Sequence, residues 1–511
     1  MQRKTDLEYL QLNKFKKLIY NLLLFFSLIP TYILNFLKKC WTKIKKFGIA
    51  IKDMFVDIGH TWKVGSWKTR VSFFIMGFGN LARKQILKGL LFFIFEAVFI
   101  FYMIVAGGHW LSKFPSLGTQ ATYQEYDPIY DTYVEKRGDQ SFQILLYGIL
   151  TIAFIIALIY TWRLNVKQNK INDEIIASGK KIKSDKDDLR SLIDNDFHKT
   201  LLALPIAGIM MFTVLPVVFM ICVAFTNYDV ENNGYTNLFT WVGLDNFNAI
   251  FTVGIGPDKN LKAAFGEILG WTLMWAFFAT FTNYFLGMGV AMLINKKGIR
   301  FKKMWRGILV LTIAIPQFIS LVYVSNMFAR EGLVNNILYK YGLVEMDTLI
   351  PFWEDKTLSR VMVILINIWI GIPYLVLITT GVLMNIPQDL YESAKIDGAN
   401  VWQQYTRITL PYMLFVTGPY LLTSFIGNIN NFNVIFLLTA GGPTNEALST
   451  SGGAAGDTDL LITWLYNITT GASNNYKLAS VIGIMIFAVV SILSLIVYNI
   501  IPSTRNEEDY S

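Results

Sequence analysis

Cysteine and histidine are nearly missing from this chain of 511 residues: there are two cysteines, Cys40 and Cys222, and three histidines, His60, His109 and His198. The cysteines lie far apart with no Cys-x-x-Cys spacing, so neither a disulfide framework nor a thiolate metal cage is available. The histidines fall in separate segments, so no metal site and no cofactor are expected. Charge is scarce too, at 16% of residues against 53% hydrophobic, and the mean hydropathy is +0.43. That balance excludes a string of soluble domains, whose surfaces need far more charge. No Gly-Lys-Ser or Gly-Lys-Thr occurs, so the loop that cradles nucleotide phosphates is missing. Gly65-Ser66-Trp67-Lys68-Thr69 lacks the Gly-Lys pair. The chain is read as hydrolysing no ATP and as no enzyme.

What the chain has instead is apolar length and 38 Phe, 25 Tyr and 13 Trp. Crossing roughly 30 Å of hydrocarbon takes about 20 apolar helical residues. Eight stretches qualify: 88–107, 142–162, 200–226, 270–294, 305–328, 360–384, 411–438 and 479–501. The expected fold is an all-α integral membrane protein of eight transmembrane helices. A ninth apolar run, 18–37, contains Pro30 and has lysines on both sides, and is read as a helix lying in the inner interface.

Orientation follows from Lys and Arg. With both termini inside, the inner segments 1–87, 163–199, 295–304, 385–410 and 502–511 hold 33 of the 45, and the outer loops hold 9. Such a bias places the basic segments in the cytoplasm. The net charge of +9 is therefore a topology signal whose partner is the anionic inner leaflet, and nucleic acid is not needed to explain it. The inner segment 163–199 mixes nine basic and seven acidic residues and reads as a solvated helical hairpin or a flexible linker.

Ion-coupled carriers place titratable groups in mid-membrane. The eight stretches hold one interior charge, Glu96, expected to pair with a neighbouring helix or to snorkel. A membrane enzyme would want clustered acids or histidines at a membrane face, and none is present.

The most informative segment is the inner loop 387–411. It reads as a short helix with Asp389 in its first turn, a break at Gly398, and a second short helix with Val401, Trp402, Tyr405 and Ile408 on one face. An apolar stripe on a cytosolic elbow fits a groove on another protein, the protein's own helices, or lipid. The spacing Glu392-Ser393-Ala394-x3-Gly398, then Ile408-x-Leu410-Pro411, resembles the EAA loop of permease subunits of ATP-binding-cassette importers. Ser393 replaces the second residue of the family's Glu-Ala-Ala. In that family the loop is the coupling helix, which makes Glu392, Ser393, Ala394, Asp397, Gly398 and Ala399 the implied ATPase-coupling residues.

The resemblance covers the six spans from about 200 to 501 and looks closest to the larger maltose/maltodextrin permease subunit. It is carried by Asn367-Ile-Trp369-Ile370-Gly371-Ile-Pro373-Tyr374 in the sixth stretch. The seventh adds Ser424-Phe-Ile-Gly427-Asn428-Ile-Asn430-Asn431-Phe432 and Leu438-Thr-Ala-Gly441-Gly442-Pro443. It implies that Asn367, Ile370, Gly371, Tyr374, Ser424, Gly427, Asn428 and Asn431 line a sugar path. Gly427 stands where the best-known maltose permease has an aromatic, which implies a wider site or a different glycan. The residues themselves agree, because several asparagines inside a span are costly in lipid and must face protein or a watery cavity. Helix-to-helix bonding would serve them as well.

The implied organisation is a basic region 1–87, two N-terminal spans 88–162, a charged linker 163–199, a six-helix permease core 200–501 and a tail 502–511. The implied partners are a second permease subunit, two ATPase subunits, an extracellular sugar-binding lipoprotein and an oligosaccharide. The Gram-negative maltose permease carries a large folded domain between its third and fourth spans. The corresponding loop here, 227–262, is too short for one; the resemblance with that departure implies the plasma membrane of a Gram-positive bacterium. The outer loop 439–478 either reaches into the binding protein or is a plain flexible loop.

Overall fold

The structure, a computed structural model, describes residues 38, 41–43, 45–252, 260–296, 298–450, 452–471 and 474–500. The run at 18–37 and the tail at 502–511 lie outside these residues. Among the described residues seven helices are long and apolar enough to cross a membrane, and a bent pair gives eight if it is counted as one span. In chain order the spans are Ile86–Lys113, Ser141–Ala177, Phe197–Val223, Leu261–Asn295, the pair Lys302–Ala314 and Gln317–Met327, Lys356–Met384, Val401–Ile429 and Tyr476–Leu495. The expected all-α membrane fold holds, with two small β-hairpins added between spans. The chain divides into two compact units, Met1–His109 with Leu150–Gly208, and Trp110–Ile149 with Ile209–Ser511.

In the first unit the C-terminal end of the second span is a row of buried amides. Asn165, Asn169 and Asn172 recur at helical spacing and are fully buried. Asn165 accepts from Gly77 N–H at 3.0 Å and donates to the Ser72 carbonyl at 2.8 Å. Asn169 donates to Asn80, and Asn172 to Gln85. Arg83, on the same inner segment, pairs with Asp173 at 2.6 Å. Residues 66–85 thus clamp onto the helix through polar groups that fill one another's hydrogen bonds, which burial demands. Of the two forms expected from residue 163, the flexible linker is corrected to helix. The second span runs on to Ala177 and a further helix covers Asp185–Ile193, with Asn165, Asn169 and Asn172 facing protein while Lys167 and Glu174 stay exposed.

The remainder of that segment is ordered as well. Ser184 and Asp187 form a capping box for the helix Asp185–Ile193. The Asp185 carboxylate accepts from Ile86 N–H at 2.8 Å and Leu87 N–H at 3.2 Å. It therefore takes up two of the free amides at the start of the first span, where negative charge is favoured. Glu96 accepts from Met76 N–H at 2.8 Å, a backbone partner in the clamping segment.

In the second unit the fourth span is packed on both sides. Trp271, Trp275 and Ala279 belong to an apolar cluster with Val363 and Ile366 of the sixth span and Val434, Ile435 and Leu438 beyond the seventh. Lower down, Tyr284 and Met288 pack with Leu375 and Met413. At the N-terminal end of the fourth span Glu267 meets both Lys356 and Arg360, and Lys356 also meets Asp457 at 3.2 Å. The Arg360 guanidinium lies 4.7 Å over the Trp271 ring. The loop beyond residue 439 is structured, with a hairpin of Thr444–Thr450 and Gly453–Gly456 and a helix Leu461–Thr470 that buries Trp464 and Ile468.

Two expected spans are broken. The stretch 305–328 bends by 87° where Ile315 turns extended before Pro316. Proline has no N–H to give and pushes its predecessor out of the helical region. The stretch 411–438 stops at Ile429, and Phe432–Thr439 is a separate short helix. Asn431 accepts from Val434 N–H at 3.3 Å as its N-cap, the role for which asparagine is favoured over a helix interior. Asn428 and Asn431 therefore do not share one helical face.

Candidate functional site

The elbow is built as its residues require up to Gly398. Pro387 precedes the helix Gln388–Ile396, with Asp389 in the first turn and Lys395 in the last, both complementing the helix dipole. Gly398 has φ +77°, the left-handed conformation that glycine adopts without penalty. Its N–H and that of Ala399 bond back to the carbonyls of Lys395 and Ala394, closing the helix end. Asn400 and Gln403 then form a capping box.

Beyond this point the expectation of an independent second short helix is corrected. Val401–Gln404 runs through a wide turn at Tyr405–Thr409 straight into Leu410–Ile429. The elbow's second arm is the N-terminal end of the seventh span itself. The Tyr391 and Thr409 hydroxyls bond at 2.8 Å, tying the two arms together. Ile396, Val401 and Trp402 are 88, 82 and 70% exposed, so none of the described residues covers the apolar tip. Glu392, Ser393, Asp397 and Gly398 are exposed around it, with Ala394 and Ala399 half-buried.

Six of the eight residues implied for the sugar path fall into three pairs, and Ile370 and Gly427 stand apart from them. Asn428 donates to the Thr280 hydroxyl at 3.0 Å and accepts from Asn431 at 3.2 Å. Asn367 is buried, and its backbone carbonyl receives the Asn283 amide at 3.4 Å. Gly371 lies against the same Asn283 side chain, where an added Cβ would come within 2.5 Å of its nitrogen. Tyr374 is half-exposed, its ring 6.5 Å from that of Tyr420, beside which Ser424 lies. Ile370 packs into the outer apolar cluster. Gly427 is exposed, with open space where a side chain would project.

The fourth span, which contributes none of the eight residues, joins the sixth and seventh. Thr280 meets the seventh span, Asn283 the sixth, and the Tyr284 hydroxyl meets Thr417 of the seventh at 2.7 Å. The signal was present in the sequence as three polar groups within five positions of an apolar stretch, a cost in lipid that only protein partners remove. The Asn283 Oδ1 and Asn367 Nδ2 atoms are buried without hydrogen-bond partners. Among the described residues no group of His, Cys, Asp and Glu could hold a metal ion. The site offers amides, hydroxyls and aromatic rings, which is chemistry for uncharged polar molecules.

Residues 283–505 match the family described as the binding-protein-dependent transport system inner membrane component. The chain is 33% identical over 432 residues to a maltodextrin transport system permease protein of Streptococcus pneumoniae, covering 83% of this chain and 93% of that one. It is 32% identical over 459 residues to the maltodextrin transport system permease protein of Bacillus subtilis, covering 88% and 99%. A galactooligosaccharides transport system permease protein of the same organism is 32% identical over 426 residues, covering 82% and 94%. With its spans, its glycine-centred elbow and likeness of that extent to permeases along nearly their whole length, the chain belongs to the binding-protein-dependent transport family as a multi-pass membrane permease subunit.

Proposed function

We propose that this chain forms one half of the pore of an ATP-driven importer for neutral oligosaccharides, of the maltodextrin class. ATP is hydrolysed by two partner subunits, a second permease completes the pore, and an extracellular lipoprotein delivers the sugar. The lysine and arginine bias supports placing both termini and the 387–411 elbow in the cytoplasm.

The observation that carries the coupling role is the uncovered tip formed by Ile396, Val401 and Trp402. The tip is apolar and sits on a closed turn continuous with the seventh span, so a push on it is transmitted to that helix. Coupling residues Glu392, Ser393, Ala394, Asp397, Gly398 and Ala399 frame it. In the membrane, Asn367, Ile370, Gly371, Tyr374, Ser424, Gly427, Asn428 and Asn431 are proposed to border the path. Amides there take over hydroxyl hydrogen bonds from water, and Tyr374 offers its ring to the apolar face of a sugar.

The test is co-purification. Trp402→Glu with Ile396→Glu should leave the chain in the membrane with its partner permease, lose the ATPase subunits and abolish maltoheptaose uptake. Retention of the ATPase would refute the docking role. A galacto-oligosaccharide is a second reading of the substrate, favoured by the open space at Gly427. Competition between the two sugars for uptake separates the readings.

A further inference from the structure

The first outer loop carries a two-stranded hairpin, Tyr123–Asp127 with Thr132–Lys136, that buries almost nothing. A lone hairpin of this size is marginal in water, and side chains that pack on nothing do not explain its aromatic content. In its antiparallel register Tyr126 stands opposite Tyr133 and Gln124 opposite Glu135. Two-residue alternation puts both pairs on one face.

The two rings meet edge to face at 5.5 Å. The Tyr126 hydroxyl donates to Asp131 at 2.5 Å, and the Tyr235 hydroxyl donates to Glu135. These bonds hold the rings and carboxylates in place while Tyr133 and, at the tip, Tyr130 remain 68 and 75% exposed. The hairpin, residues 123–136, contains four acids, Glu125, Asp127, Asp131 and Glu135, and one base, Lys136, which pairs with Glu125 away from the Tyr126 and Tyr133 face. So many carboxylates exclude burial in lipid and repel phosphates and other anions. What fits is a ligand with apolar faces for the rings and hydroxyls to donate to the carboxylates.

We propose that this face binds a neutral oligosaccharide, holding it at the outer surface. Tyr126 and Tyr133 stack on pyranose faces, and Gln124 and Glu135 engage hydroxyls. The inference rests on the importer reading and on the outward placement of 108–141.

The experiment incorporates 3-fluorotyrosine at Tyr133 in the complete importer in nanodiscs. The fluorine resonance is then followed during titration with maltoheptaose and, separately, with a β-galacto-oligosaccharide. A saturable shift with either sugar is expected. Tyr126→Ser should weaken it at least tenfold, while Tyr126→Phe, which keeps the ring, should stay within twofold. No shift with either sugar, or an unchanged shift in Tyr126→Ser, overturns the proposal. A shift seen only when the binding lipoprotein is added also overturns it and makes the hairpin a protein-docking face. Uptake is measured on the same preparations. Uptake without a shift removes the hairpin site and leaves the importer intact, whereas absence of uptake of both sugars removes the importer reading itself.

Discussion

Replacing Gly398 with valine isolates what the elbow's backbone does. At φ +77° an L residue meets its own backbone, and no heavy atom lies within 4 Å of the added Cβ. The perturbation is therefore local strain with no clash to confuse it. Left-handed backbone costs an L residue about 1–2 kcal/mol, and β-branching at Cβ adds to that. A penalty of that size changes a population ratio by a factor of about 5–30. The turn that joins Gln388–Ile396 to the seventh span should then spend most of its time in other geometries, so the exposed tip loses its angle to the helix. In a reconstituted importer, sugar uptake should fall by about 5–30-fold while ATP hydrolysis persists, uncoupled. Gly398→Asn is the control, because asparagine visits the left-handed region more readily and should lose less. Unchanged transport in Gly398→Val, or an asparagine variant worse than the valine one, would refute the reasoning.

Asn428→Leu strands the buried Thr280 hydroxyl at a cost of about 1–3 kcal/mol and should slow maltoheptaose uptake about tenfold. Asn431→Asp, which keeps a cap on Phe432–Thr439, should be milder than Asn431→Leu. If Asn428→Leu assembles and imports at the unmodified rate, the amide serves neither seam nor sugar. Burial pushes the Asp459 carboxyl up to about 6 from 3.8, against hydrogen bonds from Gly456, Thr463 and Asn467 that favour its charged form. The folded loop therefore favours the protonated acid. That stabilisation is full below about pH 4 and is lost as pH rises through 6, for a total of about 3 kcal/mol. Thermal unfolding between pH 7.5 and 5 should show the gain in wild type and a flatter slope in Asp459→Asn, and parallel slopes would refute the shift. Cysteines placed at Lys180 and Arg300 should label only from the cytosol, and one at Ala447 only from outside; label reaching Lys180 from outside would show that a span has been miscounted.

Much of this fold is legible because hydrocarbon is a demanding solvent. Apolar length and basic bias locate the spans, and the Glu392-to-Gly398 spacing locates a turn whose glycine does adopt the left-handed conformation. The failures share one cause. Hydropathy averages over about twenty residues, so it passes smoothly across Pro316 and across Asn430-Asn431, where single residues decide that the helix stops. It also reads Asn165, Asn169 and Asn172 as water-loving, because composition carries no record of the partners supplied by residues 66–85 a hundred positions away. For the candidate path, the asparagines of the sixth and seventh stretches were visible by type. Their shared neighbour was not, since Thr280 and Asn283 gain meaning only when three helices are packed together.

A seam made of amides behaves differently from one made of ions. An ion pair in the membrane has one acceptable partner, and separating it is penalised by the full cost of an uncompensated charge. An amide is both donor and acceptor, so neighbouring amides can trade partners as helices slip past each other, with no charge ever left bare. Around Asn283 one acceptor and one donor are already idle, the Oδ1 of that residue and the Nδ2 of Asn367. The one bond Asn283 does make, to the Asn367 carbonyl at 3.4 Å, is a long one. Such a contact line sets the register of the helices without the penalty that parting an ion pair would carry.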